Sequence, residues 1–464
     1  MTLLAFTSFP GSFSRVARSV AAASPLLLLA LACGQAAAPE PNPASGGAQS
    51  SGGDVNQSGS GGAVGAGGTA SGGASGGDAS SGGGQAESGG AGSGGASQLD
   101  RSYAHGLVPT GIGDLELNAA WTHWKTTYVE TCGDDAARVK WDEPTQTVSE
   151  GIAYGMLAAV GNADQDLFER FWKYYQNNTN ENGFMHWKRA GCEGTAPDQN
   201  ANNAATDADI DAAMALIQAE CRFDEPGYGT AADALITSIF EHETVGSSLQ
   251  GSDLLLLKPG DMFGGSSCLN PSYFAPAYYR VYAERPSQAS RKDQWLKLAD
   301  DSYTLLSRFA HLETGLVPNW VDEQGNTGES GPSGCTYYTD ADIFGSDAVR
   351  TPWRVAVDYL WHGTPEAKTF LDKITAFVKT QGIMSVGRKY ELDGTAFGAL
   401  EHSILSVGAF ANGAMSSDQA TLDEFTAEAL KLDDHRYFPD SLRVLYLLLL
   451  TGRFDACAGA HLPL

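Results

Sequence analysis

Residues 141–160 of the chain read WDEPTQTVSEGIAYGMLAAV. A polar, proline-containing loop leads into Ser149, a residue type that often caps helix N-termini. Apolar residues then recur every four positions from Ile152 to Val160, which is the spacing of one helix face. The pattern predicts a helix with Glu150 in its first turn. Taken alone, such an acid is explained by a favourable interaction with the helix dipole.

Helical spacing of apolar residues recurs along the chain after residue 113. The predicted helices span residues 114–128, 150–161, 164–176, 207–220, 229–243, 272–284, 293–310, 347–361, 365–380, 397–411, 418–430 and 439–451. Strand patterns are scarce, and residues 253–258 are the best short candidate. No sequence period is present, which favours a closed double ring of about twelve helices over a solenoid. The long connections 177–206 and 311–346 are expected to carry function.

The first 33 residues have the pattern of a secretory signal. Arg15 and Arg18 precede an apolar run at residues 21–32, which is shorter than the ~20 residues of a membrane-spanning helix. The residues around Cys33 resemble a bacterial lipoprotein cleavage site with Cys33 as the lipidated residue. Ala30 stands where leucine is usual, so ordinary signal cleavage nearby is the alternative.

Residues 34–100 consist mainly of glycine, serine and alanine. Such a segment buries too little apolar surface to offset the entropy of ordering, which predicts a disordered tether. Residues 101–464 contain no second linker and are expected to form one domain. A signal, a lipidation candidate and a tether predict an extracellular or cell-surface protein, with the membrane reached only through the lipid anchor.

The net charge and the number of cysteines restrict the classes of function that the chain can have. The chain carries a net charge of -26, with 55 acidic and 29 basic residues. This balance argues against nucleic-acid binding, which depends on neutralising phosphates. Six cysteines remain besides Cys33, an even number that is compatible with disulfides in an exported chain. They contain no C-x-x-C pair and allow fifteen pairings, among which the sequence does not choose.

Two later stretches repeat the placement of Glu150. Acids crowd the start of the helix predicted from Asp207, where Thr206 or Asp207 is expected to act as the cap. Asp347 is expected at another helix start, because Pro352 is tolerated in a first turn. Each of the three acids follows a loop. Any one of them could be only a cap, but as a set they indicate a shared site.

Aromatic residues in the loops indicate the class of ligand. Apolar faces of sugars stack on aromatic rings, and glycosidic bonds are cleaved by paired carboxylic acids. Trp187 stands out because it lies in the long loop between two predicted helices. No serine-hydrolase elbow, phosphate loop or H-E-x-x-H zinc helix is present in the folded part. The chemistry requires no metal and no cofactor.

The chain resembles glycoside hydrolase family 8, which contains inverting endoglucanases, xylanases and chitosanases with an (α/α)6 barrel. The resemblance covers roughly residues 103–455. It rests on segments that occur in the expected order, namely Ser149–Leu157, Ala205–Asp209, Asn270–Tyr279, Asp347–Arg354 and Tyr437–Leu445.

The resemblance implies roles for five residues. Glu150 would be the general acid and Asp347 the general base. Asp207 would bind and distort the sugar at the point of cleavage, and Arg350 would steady that centre. Trp187 would stack on a sugar ring.

The resemblance also implies sugar contacts by Tyr273, Tyr279 and Phe263. Two positions depart from the family pattern. Ser346 stands where the family often has tyrosine beside the base, which puts the fine positioning of Asp347 in question. Met262 and Phe263 stand where the family often has tryptophan, which weakens one sugar platform.

The expected substrate is a β-1,4-linked polysaccharide, with cellulose-type glucan preferred over xylan, mixed-linkage glucan and chitosan. The alternative of another class is a surface lipoprotein that binds polysaccharide without cleaving it. A monomer is expected. An inverting acid must keep its proton near neutral pH, so burial and the charge of Asp207 would have to outweigh the dipole effect on Glu150. Asp347 is expected to stay ionised with help from Arg350.

Overall fold

The structure is a computed structural model that describes residues 102–328, 331–332, 334–335 and 340–457. The predicted signal, with Cys33, and the predicted tether lie outside the described residues. Among the helices that are described, none is both long and apolar enough to cross a membrane.

Twelve α-helices dominate the described residues, and each overlaps a helix predicted from the sequence, although α10 begins at Ile404 and not at residue 397 as predicted. They are α1 (Asp114–Tyr128), α2 (Ser149–Gly161), α3 (Gln165–Asn177), α4 (Thr206–Phe223), α5 (Pro226–His242), α6 (Pro276–Ala283), α7 (Lys292–Phe309), α8 (Arg350–His362), α9 (Pro365–Gln381), α10 (Ile404–Gly413), α11 (Gln419–Ala429) and α12 (Tyr437–Leu450). Helix α6 is shorter than predicted, because Pro271–Tyr273 form a separate 3-10 turn.

The even-numbered helices form an inner ring, and the odd-numbered helices pack outside it. Helix α2 contacts α4, α8 contacts both α6 and α10, and α12 contacts both α10 and α2. The Tyr282 hydroxyl in α6 donates to the Ile210 carbonyl in α4 at 2.6 Å and completes the ring. Outer helices α1, α3, α5, α7, α9 and α11 pack on α12, α2, α4, α6, α8 and α10 respectively. The predicted (α/α)6 barrel is confirmed.

Burial explains which helices lie inside. Helix α10 is buried along its whole length, whereas α3 buries only one stripe of aromatic and apolar side chains. A helix that is apolar on all sides must have neighbours on all sides, and an amphipathic helix needs only one. Glycine lets the inner helices approach closely. A β-carbon on Gly151 would lie 2.7 Å from the Tyr437 hydroxyl.

Three two-stranded antiparallel sheets lie between helices. They pair β1 (Val129–Cys132) with β2 (Ala136–Val139), β3 (Gln146–Val148) with β4 (Lys188–Ala190), and β5 (Thr244–Leu249) with β6 (Ser252–Leu257). Only β6 was predicted, since the others are short or lack clear alternation. The β3–β4 pair is important for the site, because it fixes the loop that carries Trp187 to the start of α2. The Ser149 amide donates to the Trp187 carbonyl at 2.9 Å.

The six cysteines of the folded part form three disulfides. The pairs are Cys132–Cys192, Cys221–Cys457 and Cys268–Cys335. The first joins the β1–β2 hairpin to the loop after β4, and the second joins the end of α4 to the segment after α12. The third joins the loop after β6 to the connection between α7 and α8. Disulfides of this kind stabilise chiefly by restricting the unfolded chain.

Candidate active site

The guanidinium of Arg350 connects the three predicted acids. Its Nη1 donates to Glu150 Oε2 at 2.9 Å and to Asp207 Oδ2 at 2.7 Å, and its Nη2 donates to Asp347 Oδ1 at 2.9 Å. The Arg350 side chain is 1% exposed. Arg350 Nε also donates to Ser272 Oγ at 3.1 Å, and Nη1 also donates to the Tyr154 hydroxyl at 3.2 Å. These hydrogen bonds fix the orientation of the guanidinium plane. The spacing of the acids is therefore set by one rigid, planar group.

Glu150 lies in the first turn of α2, as predicted, with its side chain 19% exposed. Its Oε1 accepts a hydrogen bond from the Tyr437 hydroxyl at 3.0 Å. The prediction that Ser149 caps this helix is wrong. Val148 occupies the N-cap, and the buried Ser149 Oγ has no hydrogen-bond partner. The strand β3 leads straight into the helix, so pairing of β3 with β4 takes the place of a side-chain cap.

Asp207 is the most deeply buried of the three acids. Its side chain is only 4% exposed, and its Oδ1 accepts from the Ala208 amide at 3.0 Å. Ala205, not Thr206 or Asp207, occupies the N-cap of α4, which corrects the predicted cap. Asp207 compensates the buried charge of Arg350. A buried cation of this kind is tolerated only with such pairing.

Asp347 does not lie at a helix start as predicted. It lies in a turn, and α8 begins three residues later at Arg350. The reason is a competing partner for the backbone, since Asn319 Oδ1 accepts from the amides of Asp347 (3.2 Å) and Ala348 (2.9 Å). Trp320 Nε1 donates to Asp347 Oδ2 at 2.9 Å, and a third of the Asp347 side chain is exposed. The turn thus presents the carboxylate to the cleft.

Burial raises the pKa of Glu150 to about 8. The negative charges of Asp207 and Asp347 act in the same direction, whereas Arg350 and the Tyr437 hydroxyl lower this pKa. The direction agrees with the hypothesis that burial and Asp207 overcome the helix dipole. A carboxylic acid with such a pKa keeps its proton at neutral pH and can donate it.

Burial also raises the pKa of Asp347, whereas Arg350 and the Trp320 indole lower it. The expected lowering by Arg350 is present, but burial has the larger and opposite effect on this pKa. Because a third of the side chain is exposed, water limits the rise. Both oxygens accept from strong donors, and hydrogen bonds to the charged form favour ionisation. Asp347 is thus the better placed of the two exposed acids to act as a base.

Glu150 and Asp347 both open into one cleft of about 280 Å³. The cleft is lined by Trp141, Asp142, Glu150, Ser346, Asp347, Arg388, Leu405, Arg436, Tyr437, Phe438 and Pro439. Ser346, the departure from the family pattern, accepts from Arg388 Nη2 at 3.4 Å. Asp347 is positioned instead by Trp320 and Arg350, so the missing tyrosine does not leave this carboxylate unsupported.

Trp187 is partly exposed, at the end of the loop fixed by the β3–β4 pair. Its indole donates to the Asn200 carbonyl at 2.7 Å, and the Lys188 ammonium lies 4.6 Å from the ring centroid. Trp141, which lines the cleft, contacts it edge to face at 6.5 Å. The ring is therefore held firmly beside the cleft, and its stacking on a sugar stays a prediction.

The other three predicted sugar contacts differ from one another. Tyr273 is 9% exposed and lies 5.1 Å from the Arg350 guanidinium, so it supports that group from one face. Phe263 is partly exposed and packs against the cluster that contains Trp320. Tyr279 was predicted as a sugar contact, but it is a core residue. It is 0% exposed and stacks on Trp295, because α6 turns its ring inward.

Sequence reasoning missed two residues that contact the acids directly. Trp320 was not singled out, although it lies in the 311–346 connection that was expected to carry function. Tyr437 lies in the last family-like segment, but nothing in its neighbourhood indicated a contact with Glu150. Both act across more than 25 positions of sequence, at 27 and 287 positions. Loop placement was the one available signal, and it applied only to Trp320.

Comparison with known proteins gives a consistent result. The sequence profile of the glycosyl hydrolases family 8 matches residues 111–452. Endoglucanase 2 of Ruminiclostridium josui is 36% identical over 348 residues, which cover 73% of this chain and 71% of that protein. Endoglucanase A of Acetivibrio thermocellus is 35% identical over 370 residues, covering 76% and 73% respectively.

A solved structure shares the fold. The β-1,3-1,4-glucanase of Paenibacillus sp. X4 superposes with a TM-score of 0.67, at 23% sequence identity. The superposition covers 76% of this chain and 97% of that structure. At this level of identity, the likeness concerns the helical barrel.

Proposed function

Because this chain belongs to glycosyl hydrolases family 8, we propose that it is an endo-acting β-1,4-glucanase that hydrolyses with inversion at the anomeric carbon. One observation carries this assignment of the chemistry. Two carboxyl groups with different surroundings, Glu150 and Asp347, open into the same cleft and are held by a single buried guanidinium. Relatives named endoglucanases, 33–36% identical, support the glucan substrate.

The proposed reaction uses one proton donor and one proton acceptor. Glu150 gives its proton to the glycosidic oxygen as the bond between that oxygen and the anomeric carbon breaks. A water molecule attacks the anomeric carbon from the opposite face, and Asp347 takes the proton that this water loses. The products are two shorter chains, one with a new reducing end of inverted configuration.

Arg350 and Asp207 serve the reaction by holding its two acids. Arg350 fixes the orientation of the carboxyl groups of Glu150 and Asp347. The buried Asp207 carboxylate compensates the positive charge of Arg350. The charge of Asp207 also helps to raise the pKa of Glu150. Its remaining exposed edge would contact the sugar at the cleavage point. These placements support the roles that the family resemblance implies.

The stereochemical part of the proposal is tested by following the first product with proton NMR. A soluble glucan oligosaccharide is mixed with enzyme, and the anomeric signals are recorded before mutarotation. An α-anomer formed first from a β-linked substrate supports the inverting pair. A β-anomer formed first would mean a retaining mechanism and would remove Asp347 from the role of base.

The substrate part is tested with carboxymethyl cellulose, lichenan, xylan and chitosan in parallel. Reducing-sugar release is expected to be greatest on carboxymethyl cellulose, with a rapid fall in viscosity because cleavage is internal. Preferred release from xylan, lichenan or chitosan would reassign the substrate. Binding of a polysaccharide without release of reducing sugar would favour the non-catalytic surface lipoprotein. The Glu150→Gln variant provides the matched control, because it should bind but not cleave.

We also propose that the protein is exported and is attached to the membrane by a lipid on Cys33. We propose further that it is active as a monomer. The signal-like leader, the tether and the three disulfides of the folded part support export, since disulfides persist in oxidising compartments. Full-length chain and its Cys33→Ser variant would be expressed in a bacterial host, and their membrane and soluble fractions compared. Equal distribution of the two chains would contradict the lipid anchor. Size-exclusion chromatography with light scattering tests the monomer.

A further inference from the structure

Four potential metal ligands meet at the junction of α1 and α12, and none of them is one of the three acids. His123 comes from α1, Asp433 and His435 come from the connection between α11 and α12, and Asp440 lies in the first turn of α12. One ligand atom from each residue lies within 4.8 Å of those of the other three. No step of the proposed hydrolysis uses any of these residues.

The spacing fits a small tetrahedral ion. Zn²⁺ binds imidazole nitrogen and carboxylate oxygen at about 2.0–2.2 Å, which puts neighbouring ligand atoms about 3.3–3.5 Å apart. His123 Nε2 lies 3.3 Å from Asp440 Oδ2, and His435 Nδ1 lies 3.2 Å from Asp433 Oδ1. Two edges of the tetrahedron thus already have nearly the right length. The other separations between ligand atoms are at most 4.8 Å, so the exposed Asp433 and His435 must move towards α1 to complete the tetrahedron.

An unsatisfied oxygen points to a missing ligand. Asp440 is 3% exposed, and its Oδ1 is buried without a hydrogen-bond partner. Its Oδ2 accepts from the Tyr128 hydroxyl at 2.8 Å, which fixes the orientation of the carboxylate. A buried carboxylate oxygen without a partner is costly, and a cation bound by both oxygens of the Asp440 carboxylate would remove this cost. Hydrogen bonds that orient a ligating carboxylate are typical of metal sites.

We propose that His123, Asp433, His435 and Asp440 bind one Zn²⁺ ion. Two nitrogen and two oxygen ligands suit this ion, and four protein ligands make a closed, structural site. The ion ties α1 to the segment that continues directly into Arg436 and Tyr437, both of which line the cleft. Zn²⁺ therefore holds this wall of the cleft in place and takes no part in the chemistry. The site does not depend on the proposed substrate or mechanism.

The test is a calorimetric titration of the full chain, without a polyhistidine tag and freed of metal with EDTA that is then removed. Titration with ZnCl₂ is expected to show one site per chain. Zn²⁺ at a hundredfold excess over its Kd should raise the Tm by about 3–4 °C. CaCl₂ is expected to bind far more weakly, because calcium prefers six to eight oxygen ligands.

Variants locate the site. His435→Ala and Asp433→Asn change exposed residues, so both should fold and both should lose the Zn²⁺ site and its Tm shift. His242→Ala removes an exposed histidine at the end of α5 and should retain both. Absence of binding to the unchanged chain overturns the proposal, as does binding that survives both substitutions. Tighter binding of Ca²⁺ than of Zn²⁺ also overturns it.

Discussion

The hydroxyl of Tyr437 donates to Glu150 Oε1 at 3.0 Å, between residues 287 positions apart. The contact joins the first turn of α12 to the first turn of α2, and Gly151 leaves room for it. It opposes the rise that burial causes in the pKa of Glu150. The tyrosine therefore limits how tightly Glu150 holds its proton.

Replacing Tyr437 by phenylalanine should move the basic limb of the pH profile of kcat/KM upward. In the unchanged enzyme, activity should fall as pH passes about 8, because Glu150 must be protonated to act. Loss of the hydrogen bond should raise that limb by roughly half to one pH unit. Tyr446→Phe is the control. It removes another buried hydroxyl of α12, which donates to the Leu405 carbonyl, and it should leave the basic limb unchanged. A downward shift in Tyr437→Phe would contradict the assignment.

Glu150→Gln should reduce kcat on glucan by about 10²–10⁴-fold, because the leaving oxygen then receives no proton from the enzyme. An aryl glycoside with a nitrophenyl leaving group needs little protonation, so its loss should be much smaller. Glu143→Gln changes an exposed acid in the loop before α2 and should keep full activity. Equal losses on both kinds of substrate would show that Glu150 is not the proton donor.

The same Glu150→Gln variant should gain stability relative to the unchanged protein as pH rises. The pKa of Glu150 is about 8 in the folded chain, above the value of about 4.3 for an unfolded glutamate. Its stabilising contribution is therefore fully present below about pH 4.3 and is lost as pH rises through about 8. Glutamine does not titrate, so the difference in Tm, variant minus unchanged, should increase between pH 5 and 9. A constant difference in calorimetry would refute the raised pKa.

Trp320→Phe should move the acid limb of the kcat/KM profile to higher pH. The indole donates to Asp347 Oδ2 at 2.9 Å and lowers the pKa of this carboxyl, so its removal should raise that pKa. Asp347 must be ionised to accept a proton, and activity then begins at higher pH. Trp361→Phe removes a comparable indole hydrogen bond, to the Phe454 carbonyl, and should leave the limb unchanged. An unmoved acid limb in Trp320→Phe would argue against Asp347 as the base.

Arg350→Met should lower both stability and activity. It leaves Asp207 buried without its cation, which typically costs about 3–5 kcal/mol. Arg354→Met provides the control, because Arg354 forms a similarly buried pair with Asp211 and contacts none of the three acids. Denaturant unfolding should show comparable losses for the two variants. On folded protein, kcat/KM should fall much further in Arg350→Met, and equal activity losses would mean that Arg350 acts only through stability.

The spacing of apolar residues along the sequence predicted most of the helical architecture. Each helix was located because a period of 3.6 residues is a property of neighbouring positions, and burial on one or all sides follows from that pattern. Short strands such as β3 have too few residues to show a period. Helix starts were less accurate, since a competing partner such as Asn319 delays α8 until Arg350.

The sequence by itself determined the helical content, the three acids and, through family-like segments, the class of enzyme. Tertiary structure alone decided that these acids share Arg350, that Tyr279 lies in the core, and which cysteines pair. It also decided that His123 meets Asp433, His435 and Asp440. The physical reason is the separation along the sequence over which each effect acts. Periodicity acts between neighbours in sequence, whereas burial, charge and ligand geometry depend on residues that only the closed ring of helices brings together.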